Sequence, residues 1–303
     1  MYFRTNPNEK QELINGIWFE DKPYDNLIEG IRFDDCQFQE YIPTSTNGCH
    51  LGEEKMSNSG SHMTIIEYFS YSNITVKFVS TLSTGETRTY IRYNQNYVNF
   101  KKGELRSPYD CNVCGIGYMG DGPYNSKNSP KFYDHWTNMI TRCYNPKSWE
   151  TRPRYKGCSV HPYFHNFQNF CYWCEQNYYE VDGYETMCLD KDILLTNNKV
   201  YGPNTCIFVP QTINKLFTYN QDNGKIGIPP GLTYIPERDV YTVSCGIHKK
   251  RKFLGNYKDK DEAFSVYKEA KEKEIKRVAE EYKGKIPDIL YCTMMRYKVH
   301  YNR

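Results

Sequence analysis

The last quarter of the chain, Gly231 to Lys283, constrains the fold most tightly. Two alternating segments, Gly231–Tyr234 and Tyr241–Ile247, precede a third, Lys252–Tyr257, and then a charged stretch of helical period. The intervening turns, Pro236-Glu237-Arg238-Asp239 and His248-Lys249-Lys250-Arg251, are short and polar, as an antiparallel meander requires. Asp259 or Asp261 can cap the helix. Ala263, Phe264, Tyr267, Ala270, Ile275, Val278 and Tyr282 recur along one of its faces. The spacing therefore predicts three strands backed by one amphipathic helix, with the cations on the exposed strand face and in the turns.

Charge singles out the same end. The chain of 303 residues carries a net charge of +3, but from Lys225 onward there are 18 Lys and Arg against 11 Asp and Glu. The remainder is mildly acidic, with 21 against 25. Such a basic end suits an anionic partner. Along the helix, Lys268 to Arg277 alternates in sign and reads as a solvated face. The run His248-Lys249-Lys250-Arg251-Lys252 has no acidic neighbour and is the better contact candidate. Arg238, Lys249, Lys250, Arg251 and Lys252 are the expected phosphate contacts.

A chain of this length normally holds two or three domains. Residues 1–49 are irregular and acidic, with apolar patches at Gly16-Ile17-Trp18-Phe19 and Ile31-Arg32-Phe33. Residues 50–125 read as a small β-domain, with strands at His62–Phe69, Asn73–Val79 and Tyr90–Phe100, the last closed by Lys101-Lys102-Gly103. The glycines at 115, 117, 120 and 122 lack a following helix, because Pro123-Tyr124-Asn125-Ser126 breaks it, so they serve turns and not a phosphate cradle. Residues 126–222 predict helices at Asp134–Arg142 and His165–Tyr178, then a hairpin running from Leu189-Asp190-Lys191-Asp192 to Val209-Pro210. Residues 223–303 hold the meander, its helix and a C-terminal extension. The expected class is α+β, with a small β-rich N-terminal domain, a helix/hairpin middle and a C-terminal three-stranded sheet packed on one helix.

No apolar run reaches the roughly 18 residues of a membrane span, and the opening MYFRTNPNEKQEL is too polar for a signal peptide. A soluble protein of the cytoplasm is expected, and its 12 cysteines are then thiols or metal ligands. Cys111-x-x-Cys114 and Cys171-x-x-Cys174 each have the spacing of half a zinc site. Against zinc, Cys171 and Cys174 fall on the inner face of a predicted helix, where free cysteine serves as a small apolar group. Burial without metal is the reading adopted, and no cofactor is expected.

Two resemblances add to this reading. The Gly-Leu opening at Gly231, the strand at Tyr241, the end Leu254-Gly255-x-Tyr257, and Ala263, Tyr267 and Ala270 resemble the ERF-type (APETALA-type) DNA-binding domain. The resemblance implies a sheet that lies on duplex DNA. In that domain Arg and Trp on the strands read bases; here the strands carry Thr233, Tyr234, Tyr241, Thr242 and Ser244, which implies phosphate binding with little sequence preference. The middle segment is similar to phage proteins related to HNH endonucleases. The likeness rests on Trp136-x-x-Met139-x-x-Arg142-Cys143-Tyr144, Asn166-Phe167-x-x-Phe170, Leu189-Asp190-Lys191-Asp192 and Tyr201-x-Pro203-x-x-Cys206. Phe100-Lys101-Lys102-Gly103 and Gly115-Ile116-Gly117-Tyr118 resemble the domain upstream of it in those proteins.

An HNH site needs a base histidine beside a divalent cation. The hairpin Cys188-Leu189-Asp190-Lys191-Asp192 has no histidine, and only His161 and His165 are near in sequence. Were the site active, Asp190, Asp192, Asn204 and Asn214 would be its residues, with magnesium held at Asp190 and Asp192. Otherwise Asp190 and Asp192 order the turn. The resemblances thus imply a phage-encoded, non-catalytic protein that engages duplex DNA in an infected bacterial cell. The alternatives are an anti-defence protein that binds a host nuclease-based immunity complex, for example Gabija-type, and a metal-dependent endonuclease. The 29 Tyr and 4 Trp favour the first alternative, since these residues anchor protein interfaces. The oligomeric state stays open.

Overall fold

Runs of β-branched and aromatic residues at alternate positions set the architecture of the N-terminal part. The computed structural model describes residues 11–14, 17–20, 50–181, 183, 185–218 and 228–301. They divide into two units, residues up to 81 with 87–107, and residues 82–86 with 108 onward. In the first unit β1 (Gln11–Ile14) and β2 (Ile17–Glu20) pair antiparallel, Gln11 opposite Glu20. The patch at Ile31-Arg32-Phe33 lies outside the described residues. Four further strands, β3 (Glu54–Met56), β4 (His62–Ser70), β5 (Asn73–Thr81) and β6 (Thr87–Gln95), form an antiparallel meander in chain order. Met63, Ile65, Ile74, Val76 and Phe78 bury its inner face together with Phe100.

The expected strand Tyr90–Phe100 needs correcting. Pairing with β5 ends at Gln95, and α1 (Tyr97–Lys102) comes next. Asn96 starts this helix by accepting the Val98 N–H at 2.8 Å. Gly103, at φ 69°, ends it in the left-handed conformation. A cap at each end thus outweighs the β propensity of Tyr97, Val98 and Phe100.

The second unit is mixed. It contains α2 (Pro130–Tyr144), α3 (Pro146–Thr151), β7 (Ser159–Val160), α4 (Phe167–Asn177), β8 (Met187–Asp190), β9 (Val200–Tyr201), β10 (Ile207–Pro210) and α5 (Gln211–Phe217). Then come β11 (Leu232–Ile235), β12 (Val240–Ile247), β13 (Lys250–Tyr257), α6 (Lys260–Glu281) and α7 (Asp288–Arg296). The helix expected from His165 begins at Phe167. Pro162–His165 forms a separate 3-10 turn, and Asn166 caps α4 by accepting the Gln168 N–H at 2.9 Å. Pairing of β8 with β10 closes the hairpin, Leu189 opposite Phe208, while β7 and β9 pair in parallel.

Trp136, Phe167, Phe170, Cys171, Leu189, Ile207 and Val209 are all buried in one cluster. Within it Phe164 meets Phe170 edge-on at 5.1 Å, and the Trp136 indole N–H donates to the Phe164 carbonyl at 2.7 Å. The cluster continues into the C-terminal elements through Leu232, Val243, Ile275, Val278 and Leu290. Segments 126–222 and 223–303 therefore share one core. Tyr282, at the end of α6, also donates to Glu185 at 2.6 Å, and Glu185 accepts the Thr212 N–H at 2.7 Å. No helix among the described residues is long and apolar enough to cross a membrane.

Candidate functional site

The C-terminal meander has strand order β11-β12-β13, both pairs antiparallel. Asp259 caps α6 by accepting the Glu262 N–H at 2.7 Å. That helix buries Ala263, Phe264, Tyr267, Ile275 and Val278 against one sheet face, where Leu232, Val243 and Cys245 point inward. Strand alternation then sends Thr233, Thr242, Ser244, Arg251, Phe253 and Asn256 to the opposite face. Two side-chain bonds run across that face: Thr242 Oγ1 donates to Asn256 Oδ1 at 2.8 Å, and Arg251 Nε donates to Ser244 Oγ at 2.9 Å. Phe253 is 64 % exposed on it.

The turn expected at His248–Arg251 is shorter than its sequence suggests. Only His248 and Lys249 form it, both left-handed at φ 51° and 61°, and β13 begins at Lys250. A two-residue left-handed turn matches the twist of paired strands, so it wins over a longer polar loop. Glu274 on α6 accepts the His248 N–H at 2.9 Å, and Arg277 holds that carboxylate through both Nε and Nη2.

This placement separates the five expected cations. Arg251 lies on the open face and Lys249 at the turn beside it. Lys250 and Lys252 sit opposite Ile247 and Cys245, on the helix side of an edge strand, where lysine also blocks edge-to-edge pairing. Arg238 falls in the 3-10 turn Pro236–Arg238, at the other end of β12. Eight residues of strand put about 23 Å between the two ends.

A second feature is a cavity of about 340 Å³ in the same unit. The stripe His135, Asn138, Arg142 on α2 lines it, with Arg154, Tyr155, Lys199, Tyr201 and the β8 end Asp190-Lys191-Asp192. Asn214 on α5 also lines it, whereas Asn204 does not. The structure thus joins three of the four expected site residues and adds a histidine that lies over 50 residues away in sequence. Spacing i, i+3, i+7 along one helix was the signal for this polar stripe.

The chemistry of the cavity is dominated by cations. Asp190 Oδ1 accepts the N–H groups of Asp192 and Ile193 at 2.8 and 2.7 Å, which orders the turn. Lys191 Nζ donates to Asp192 Oδ2 at 3.0 Å and to the Asn198 carbonyl at 2.9 Å. Arg142 and Arg154 flank the Tyr155 ring, each 5.6 Å from its centroid. No carboxylate pairs with Arg142, Arg154 or Lys199 among the described residues. Burial, aided by the charge of Arg142, lowers the His135 pKa and favours its neutral form.

Burial, and then the neighbouring Asp192, pushes the Asp190 carboxyl up to about 6. The folded state therefore binds this proton more tightly than the unfolded chain, and stability falls as pH rises from about 4 to 6. Asp190→Asn keeps an acceptor for both N–H groups and removes the buried charge. At neutral pH it should be more stable than wild type by on the order of 2 kcal/mol, with the gap closing below about pH 4. Urea unfolding at a series of pH values reads this directly; a gap that does not change with pH would refute the assignment.

The cysteine pairs do not converge. Cys171 and Cys174 are fully buried in the core, whereas Cys114 is exposed. Burial raises both helix thiols, Cys171 to about 12, which opposes the thiolate form that zinc binding requires. Among the described residues, no group of three or more His, Cys, Asp or Glu side chains is placed to hold a metal ion. Compared with family models, curated proteins and solved structures, the chain has no significant match.

Proposed function

We propose that the chain is a non-catalytic protein that binds duplex DNA through the open face of its C-terminal sheet, with little sequence preference. The observation that carries this reading is a sheet face that no other described residues cover, where a 64 % exposed Phe253 stands beside Arg251 and the turn at Lys249. The β12–β13 pair at the edge of this sheet is a two-stranded ribbon of the kind the major groove admits, with Arg and Lys placed to meet phosphate. In this reading residues 223–303 are an ERF-type-like domain, and residues 126–222 are a degenerate HNH-like domain. The protein would be phage-encoded and act in the bacterial cytoplasm.

Charge at the cavity speaks against the magnesium-dependent alternative. A magnesium site needs converging oxygen ligands with net negative charge. Here two carboxylates face Arg142, Arg154, Lys191 and Lys199, with Asp190 engaged by backbone N–H groups and Asp192 by Lys191.

Fluorescence anisotropy with labelled duplex across a salt series tests the reading. Lys249→Ala with Arg251→Ala should lower the salt slope by about two units, since each lost phosphate contact removes about 0.9. Lys250→Ala with Lys252→Ala, on the helix side, should lower it less. An unchanged slope in the first variant, or no binding at low salt, would sink the proposal. Plasmid incubated with the protein and magnesium should stay intact.

The anti-defence reading rests on another surface. Phe69, Tyr71 and Tyr93 of the N-terminal sheet region are exposed by 45 %, 61 % and 62 %. Exposed aromatic side chains suit a protein partner. A host complex captured from infected cells and retained after nuclease treatment would favour it over DNA binding.

A further inference from the structure

We propose that the cavity between α2, β8 and α5 binds a phosphate ester, of a free nucleotide or of a nucleic-acid end. This goes beyond the sheet-face reading and uses none of its residues.

Three observations carry the assignment. The first is charge imbalance in a concave site. Four cationic side chains line the cavity against two carboxylates, and of these cations only Lys191 has a carboxylate partner there. Cations gathered in a cleft focus a positive potential that attracts anionic ligands. The second is the state of Arg142. Its Nε is buried without a hydrogen-bond partner, the one such side-chain nitrogen or oxygen among the described residues. A buried donor left unsatisfied is costly, and an entering oxyanion supplies acceptors to that guanidinium. The third is the frame. Arg142 and Arg154 stand 5.6 Å from the centroid of one ring, Tyr155, which holds two planar guanidinium groups about a common centre. Each planar guanidinium presents a fork of donors that matches the oxygens of a phosphate. The volume of about 340 Å³ exceeds what phosphate alone needs, and tyrosines 155 and 201 supply walls on which an attached organic group can rest.

The proposal is read by calorimetric titration of the full chain with inorganic phosphate, with adenosine monophosphate, and with a short single strand carrying or lacking a 5′-phosphate. At least one phosphorylated probe should bind with a dissociation constant at or below about 1 mM. Tighter binding of the nucleotide than of the phosphorylated strand identifies a free nucleotide as the source. The reverse order, with loss of binding when the 5′-phosphate is omitted, identifies a nucleic-acid end. Arg154→Gln with Lys199→Gln, both at the exposed rim, should weaken binding tenfold or more without altering the melting temperature. Arg142→Lys, which keeps the charge but not the planar fork, should also weaken it. Lys249→Ala with Arg251→Ala should leave it unchanged, so failure of the sheet-face reading and failure of this one are distinguishable. No binding of any phosphorylated probe, equal binding by the rim variant, or heat released only with magnesium or manganese would overturn the assignment.

Discussion

Phe170→Ala is expected to lower the stability of the protein by about 3–5 kcal/mol, the range for removing a fully enclosed aromatic ring. Phe170 has no exposed surface, meets Phe164 edge-on at 5.1 Å and lies 6.1 Å from the Trp173 ring. Truncation leaves a void that these rings cannot close without abandoning their own partners, because Trp173 also donates to the Pro203 carbonyl at 3.1 Å. Cys171→Ala, one residue along the same helix and equally buried, removes only a sulfur and should cost far less. Denaturant midpoints for the two variants separate a packed core from a metal-held one. If Cys171→Ala proved as damaging as Phe170→Ala, and the purified protein carried about one zinc per chain, metal and not packing would organise this region.

Gly120→Ala is the second large effect. Gly120 has φ +69°, and a Cβ built there would lie 2.2 Å from Asn166 Oδ1. That oxygen is the cap of α4. The substitution therefore adds left-handed strain and displaces a cap, each worth about 1 kcal/mol, and it adds a steric clash. A loss of about 2–4 kcal/mol is expected. Gly157→Ala provides the control, since Gly157 is also left-handed, at φ +79°, but has no atom within 4 Å of its Cβ position. It should show the backbone cost alone. Equal losses at the two sites would mean that the close approach to Asn166 carries no weight.

The C-terminal meander was legible because its signals agree: alternation in three runs, polar turns between them and an Asp before a periodic helix. Two details escaped. Positions 248 and 249 carry no glycine, so nothing local announced a two-residue left-handed turn, and β13 starts earlier than its apolar residues do. Lys271 and Glu274 are buried on α6 although charge alternation marked that stretch as solvated. Helix α7 has only nine residues, too few for a clear period, so the sequence there reads as an extension. The cavity was half legible. Asp190, Asp192 and Asn214 stand in recognisable segments, but their neighbours His135, Arg142 and Arg154 come from elements brought there only by the core. The histidine of the cavity, His135, stands 55 positions before Asp190, and only the fold brings it to the hairpin. Alternation could also have divided the basic run, since a strand must send Arg251 to one side and Lys250 and Lys252 to the other.

The bond from the His248 amide to Glu274 has a consequence for recognition. Hairpin tips ordinarily sample many conformations, and a partner must freeze them on contact. This tip is anchored before any partner arrives, by a carboxylate that is itself 5 % exposed and clamped by Arg277. The chain has met the entropy cost of positioning the Lys249 backbone during folding. A partner that docked at this tip would therefore cost less conformational freedom than at a loose loop of the same charge, because it would meet shape already present.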